Sequence, residues 1–153
     1  MPVKSIPEGY HTLTPYLVVK GAADAIEFYK KAFGAKELFR MPGPDGRVGH
    51  AELQFGNSRV MLADECPERG AFAPKGDGVP ITMYMYVENV DAVFDRAVSA
   101  GATIKQPVVD QFYGDRSGGL VDPFGHAWYV ATHKEDVSAE ELQKRMAAMC
   151  KPK

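Results

Sequence analysis

His50-Ala-Glu52-Leu-Gln54 sets an imidazole, a carboxylate and a carboxamide at alternate positions of one short stretch. On an extended strand, residues two apart share a face at about 7 Å between Cα atoms. His50 and Glu52 are then close enough to share a metal ion or to relay a proton as acid and base. Ala51, Leu53 and Phe55 fall on the opposite, apolar face. The polar face is either the wet side of an antiparallel strand or the lining of a binding site. A second set is aromatic. Tyr84 and Tyr86 alternate with methionine in TMYMY on the face of Thr82, with counterparts at Tyr16 in TPYLVV and Tyr129 in HAWYVAT. Phenols on an apolar wall suit a small organic ligand, because rings supply contact area and hydroxyls fix orientation. Their alternative role is to fill a core. Asp115-Arg116 offers a guanidinium for a bidentate grip on an anion, or an internal salt bridge. Tyr113 beside them is a candidate lid residue.

Other residues carry weaker chemistry. His126 and His133 in DPFGHAWYVATH are seven positions apart. On one strand that is about 23 Å, with the two rings on opposite faces, so they cannot share a metal within a chain. His126 and Trp128 read as turn or core residues, Trp128 sharing its face with Val130. The GPDG and GDG runs are turns without the spacing or the lysine of a phosphate loop. Cys66 and Cys150 form no CxxC motif and have no obvious base beside them. Lys134-Glu-Asp136 reads as a solvated charge cluster, and no serine triad is present.

The bulk properties narrow the partners. A net charge of −2 argues against nucleic acid. No apolar run approaches the roughly 20 residues of a membrane span, and the N-terminus lacks a signal-peptide plan. A single cytoplasmic domain of 153 residues, with no nucleic-acid or membrane partner, is expected.

The elements that position these residues repeat. TPYLVV at 14–19 is echoed by TMYMYV at 82–87, an offset of 68. Asp24-Ala-Ile26 and Asp91-Ala-Val93 follow, each closed ten residues after its aspartate by Gly-Ala, at Gly34 and Gly101. Phe55-Gly56 is echoed by Phe124-Gly125 at an offset of 69. Two copies, about 12–64 and 81–133, each read as βαβββ. The first strand of each is β-branched and aromatic. The stripes Ile26, Tyr29, Phe33 and Val90, Val93, Phe94, Ala97, Val98 have helical spacing. Asn89 is a predicted N-cap, and Gly34 and Gly101 are stops. Strands are predicted at 36–41, 48–55 and 58–64, and again at 103–109, 118–122 and 127–132. The Gly- and Pro-rich stretch 65–80 reads as a linker. A last helix over 138–149 opens on the capping-box spacing Ser138-Ala-Glu-Glu141.

A βαβββ duplication ending in a DPFG turn resembles the vicinal oxygen chelate superfamily of glyoxalase I, extradiol dioxygenases, fosfomycin-resistance enzymes and bleomycin-binding proteins. TPYLVV, AIEFYKKAFGA, GHAELQFGNSRVMLADE, GDRSGGLVDPFGHAW and ATHKEDVS are most similar to its PhnB-like branch. The resemblance implies an α+β fold in which two modules form a cupped sheet, and a homodimer. In metal-dependent members, four ligands come from the first and last strand of each module. Carried over by register, those positions are Thr14, Thr82, Tyr129, and Val60 or Leu62. Such a set does not suit a divalent metal. The expectation is therefore a protein that binds a small molecule in an aromatic cup lined by Tyr16, Gln54, Tyr84, Tyr86, Tyr113, Arg116 and Tyr129, with no metal and no other cofactor. His50 and Glu52 are the candidates for polar or catalytic contacts. The alternatives are a metal-dependent lyase, isomerase or dioxygenase of the same superfamily, or a drug-sequestering resistance protein.

Overall fold

A computed structural model describes residues 3–76 and 78–149, in which two halves share one order of elements. The first half runs β1 (Tyr16–Val19), α1 (Ala22–Phe33), β2 (Lys36–Pro42), β3 (Val48–Phe55) and β4 (Ser58–Asp64). The second runs β5 (Thr82–Tyr86), α2 (Val90–Ala100), β6 (Thr103–Asp110), β7 (Asp115–Val121) and β8 (Ala127–His133), and α3 (Ala139–Met149) follows. The sheets are ordered β1-β4-β3-β2 and β5-β8-β7-β6, each with its first strand parallel to its last. This is the α+β architecture expected of paired βαβββ modules. Among the described residues, no helix is long and apolar enough to cross a membrane. Cys150 lies outside the described residues.

The helices start and stop for identifiable reasons. Gly34 adopts the left-handed conformation that glycine tolerates (φ 69°), and its N–H bonds back to the Lys30 carbonyl. Asn89 caps α2 by accepting from the Ala92 N–H at 3.2 Å, and Ser138 does the same for α3 from Glu141 at 3.1 Å. The start of α1 has no local cap. Asp64, at the end of β4, instead accepts from the Gly21 and Ala22 N–H groups at 2.8 and 2.9 Å, satisfying donors a helix N-terminus leaves open.

The strand β7 begins at Asp115, three residues before the predicted start. Gly118 and Gly119, the first residues of the predicted strand, lie inside it, where the packing leaves little room for a Cβ. One at Gly118 would sit 2.6 Å from the Phe94 ring, and one at Gly119 would sit 3.3 Å from the Tyr129 ring.

Both sheets turn their helix-bearing faces into one core. Trp128 of β8 lies 4.8 Å from Phe33 and stacks on Phe55 of β3 at 5.5 Å, while Tyr29 of α1 lies 5.5 Å from Trp128. Burying each such ring contributes about 1.5–3 kcal/mol. The polar centre of this core is Asp122, only 4% exposed. Its Oδ1 accepts from the Phe124 and His126 N–H groups at 2.9 and 3.0 Å, which shapes the Pro-Phe-Gly turn. Its Oδ2 accepts from the Tyr29 hydroxyl at 2.5 Å and from Trp128 Nε1 at 2.9 Å. Burial and the Asp122 charge push the Tyr29 phenol well above its usual range, so it stays a neutral donor. His126 adds a second stitch between the halves, since its Nε2 lies 2.9 Å from the Val18 carbonyl and donates to it.

Replacing Asp122 with Ala leaves two aromatic donors and two backbone N–H groups unsatisfied, at about 1–3 kcal/mol each before relaxation. Urea unfolding should therefore show a loss of at least about 3 kcal/mol for Asp122→Ala and about 1–3 kcal/mol for Tyr29→Phe. A loss below about 1 kcal/mol for Asp122→Ala contradicts its place at the centre of the core.

Candidate functional site: two tyrosine walls organised by carboxylates

The faces turned away from the shared core carry the side chains singled out in the sequence. On the first sheet, strand alternation buries Ala51, Leu53 and Phe55 and leaves His50, Glu52 and Gln54 half-buried on the outer face. His50 Nε2 lies 3.0 Å from Glu52 Oε2 and must donate to it, because a carboxylate only accepts. In the neutral imidazole, His50 Nδ1 is then the acceptor for the Tyr16 hydroxyl, 2.8 Å away. Tyr10, from the segment before β1, donates to Glu52 Oε1. The result is a continuous chain, Tyr16–His50–Glu52–Tyr10. Burial holds the Tyr16 phenol above its ordinary range, so its proton stays in place for this bond. Gln54 stands at the end of the row, tied to Arg59 Nε at 2.9 Å and to the Gly56 carbonyl at 2.8 Å.

On the second sheet the organiser is Asp115, 4% exposed. The hydroxyls of Tyr84 and Tyr86 both donate to its Oδ2 at 2.8 Å. His133 Nδ1 reaches its Oδ1 at 2.8 Å, and His133 Nε2 reaches Asp136 at 2.7 Å. Tyr129 stacks on Tyr84 at 5.8 Å, nearly parallel at 10°. Burial, the neighbouring Tyr113 phenol and Asp115 together hold the Tyr84 phenol far above its ordinary range. Burial alone would raise the Asp115 carboxyl. The hydrogen bonds from His133, Tyr84 and Tyr86 outweigh it and keep the group below the usual carboxylate range. The same bond to Asp115, with that to Asp136, raises the His133 imidazolium above its ordinary value.

The structure brings Tyr84, Tyr86, Tyr113 and Tyr129 together on one wall, and Tyr16, His50, Glu52 and Gln54 on the other. Arg116 joins neither. It alternates with Asp115 along β7 and so faces α2, where Asp91 takes its Nε and Nη2 at 2.9 and 3.0 Å and Asp110 takes its Nη1 at 3.3 Å. Of the two readings of Arg116, the structure shows the internal salt bridge. A register is corrected. Val60 and Leu62 are buried toward α1, and the outer-face residue of β4 is Met61, paired with Tyr16 as Tyr129 is with Tyr84. Sequence reasoning missed Asp115, His133 and Tyr10 as members of these clusters. Starting β7 at Asp115 would have found the first two, since the strand then sets Asp115 opposite His133.

The model of the glyoxalase/bleomycin resistance protein/dioxygenase superfamily matches residues 10–130. The chain belongs to that superfamily. A Mycobacterium bovis member, Mb0911c, is 44% identical over 140 residues, covering 89% of this chain and 92% of that one. Among solved structures, TioX from Micromonospora sp. ML1 is similar at 28% identity with a TM-score of 0.65, covering 80% of this chain and 98% of TioX. A PhnB protein from Bacillus cereus shares the fold at 21% identity and a TM-score of 0.63, over 80% of this chain and 99% of that one.

The residues at the superfamily's metal positions do not fit a divalent ion. Thr14, Met61, Thr82 and Tyr129 supply hydroxyls and a thioether where imidazole, carboxylate or thiolate is needed. Among the described residues, no three His, Cys, Asp or Glu side chains converge on a point that such an ion could occupy.

The Asp115–His133 pair makes stability depend on pH in a defined direction. A raised imidazolium stabilises fully below the ordinary value of about 6.5 and loses its contribution as pH rises through the folded value. A depressed carboxyl stabilises above about 3.9 and loses its contribution as pH falls through its folded value. The stability gap between the wild type and His133→Gln should thus be widest near pH 5–6, measured by urea unfolding, and should narrow toward pH 9. A gap constant across that range contradicts the assignment.

Proposed function

We propose that this superfamily member binds a small organic molecule between two tyrosine walls, without a divalent metal, in a cup completed by a second copy of the chain. One observation carries the reading. Tyr16, Tyr84 and Tyr86 are 49%, 43% and 61% exposed on faces that look away from the shared core. Exposed aromatic rings rimmed by organised polar groups mark interaction surfaces. The helix-bearing faces of both sheets are buried against each other, so the two walls of one chain do not face one another. A cup with both walls needs the first wall of one copy set against the second wall of its partner, a two-fold arrangement in which each contact occurs twice.

A second reading is favoured by the Tyr16–His50–Glu52–Tyr10 chain. There Glu52 fixes the tautomer of His50, and His50 can take the Tyr16 proton, which is the positioned acid–base pair that proton abstraction or delivery needs.

Sedimentation equilibrium should report a homodimer, and elemental analysis of purified protein should find no stoichiometric metal. A stable monomer, or near-equimolar zinc, nickel, manganese or iron, overturns the proposal. Glu52→Gln separates the two readings. It should weaken ligand affinity only several-fold if the chain is a binder, and should lower any turnover by about 10²–10⁴-fold if the relay is catalytic.

A further inference from the structure

The hydrogen bonds of the second wall fix which kind of ligand it accepts. A phenol has one hydrogen to donate. Tyr84 and Tyr86 both commit theirs to the same oxygen of Asp115, behind the wall. Toward the cup their oxygens therefore present lone pairs only. The rings add the negative faces of their π systems, with Tyr84 lying between Tyr129 at 5.8 Å and Tyr86 at 5.2 Å. The charge behind them has the same sign. His133 has a carboxylate on each ring nitrogen, so both nitrogens donate and the ring is an imidazolium between two anions. Asp115, Asp136 and His133 together sum to one negative charge. The guanidinium of Arg116 is turned to the other face and held by Asp91 and Asp110. In front of Tyr84 and Tyr129 lies a cavity of about 600 Å³, whose other polar lining residues, Thr82, Gln106, Gln111 and Tyr113, carry no charge, so no lysine or arginine faces it. That volume is in the range of small-molecule sites.

We infer that the second wall selects a flat aromatic ligand bearing a protonated amine or guanidinium over its carboxylate counterpart. Such a ligand stacks on Tyr84 or Tyr129, donates N–H bonds to the phenol oxygens, and places its charge over the rings. A carboxylate there finds only neutral donors, from Thr82, Gln106, Gln111, Tyr113 and Tyr129, and stands against the ring faces and the net negative charge behind them. This rests on the proposed ligand-binding function and specifies the ligand class.

The test uses the full chain and two probes matched in shape, 2-naphthylmethylammonium and 2-naphthoate. Each is titrated by NMR while the tyrosine ring resonances are followed. The ammonium should shift the Tyr84, Tyr86 and Tyr129 rings and bind at least roughly tenfold more tightly than the carboxylate. Tyr84→Phe, which keeps the ring lining the cavity and removes one acceptor, should weaken the ammonium by several-fold and leave the carboxylate unchanged. Should Tyr84→Phe fail to fold, the wild-type probe pair still decides. Equal or tighter binding of 2-naphthoate to these rings overturns the inference while leaving the ligand-binding function standing. If neither probe moves the rings and sedimentation finds no dimer, both fail.

Discussion

Asp122 is the point on which the two halves of the molecule depend. Two oxygens of one buried carboxylate satisfy four donors, two from the Pro-Phe-Gly turn and one each from Tyr29 and Trp128. Burying a carboxylate is costly unless its lone pairs are filled, and here they are filled from both halves at once. That requirement brings α1 of the first half against β8 of the second and lets Trp128 stack on Phe55. A Trp–Phe–Tyr core could form in other arrangements. The directional bonds to Asp122 select this one.

The consequence for function is geometric. Because the helix-bearing faces are buried together, each sheet presents its other face outward, and each outward face uses the same device. A carboxylate with little exposure, Glu52 on one wall and Asp115 on the other, gathers phenols and an imidazole into fixed orientations. In metal-dependent members of the superfamily a divalent ion supplies the fixed charge at the cup. Here hydrogen-bonded carboxylates hold the tyrosines, and the proposed ligand is read by rings and lone pairs. Rigid aromatic side chains lose little conformational freedom on binding, which suits the proposed metal-free reading of the site.

Much of this was legible in the sequence because alternation is a strict rule. His50, Glu52 and Gln54 could only share a face, as could Tyr84 and Tyr86, and the separation of His126 from His133 already excluded a common metal. The DPFG turn gave the duplication and most of the register. The readings that failed did so for physical reasons. The predicted strand opens at Gly118, whereas β7 starts three residues earlier, where Asp115 pairs with His133. That hid Asp115. The repeat offset drifts between 68 and 69, enough to exchange Met61 for its buried neighbours Val60 and Leu62. The contacts of Tyr10 with Glu52 and of Asp64 with the start of α1 span about forty residues and leave no local pattern.

The central claim is that one cup is built from walls of two chains, and complementation tests it most directly. Tyr16→Ala breaks the first wall and Tyr84→Ala the second, so neither homodimer retains an intact cup. Mixing the two variants and allowing subunits to exchange creates heterodimers in which one of the two cups has both walls whole. Binding of 2-naphthylmethylammonium, absent or weak in each variant alone, should return in the mixture. Heterodimers that form but recover no binding would contradict a cup shared between copies.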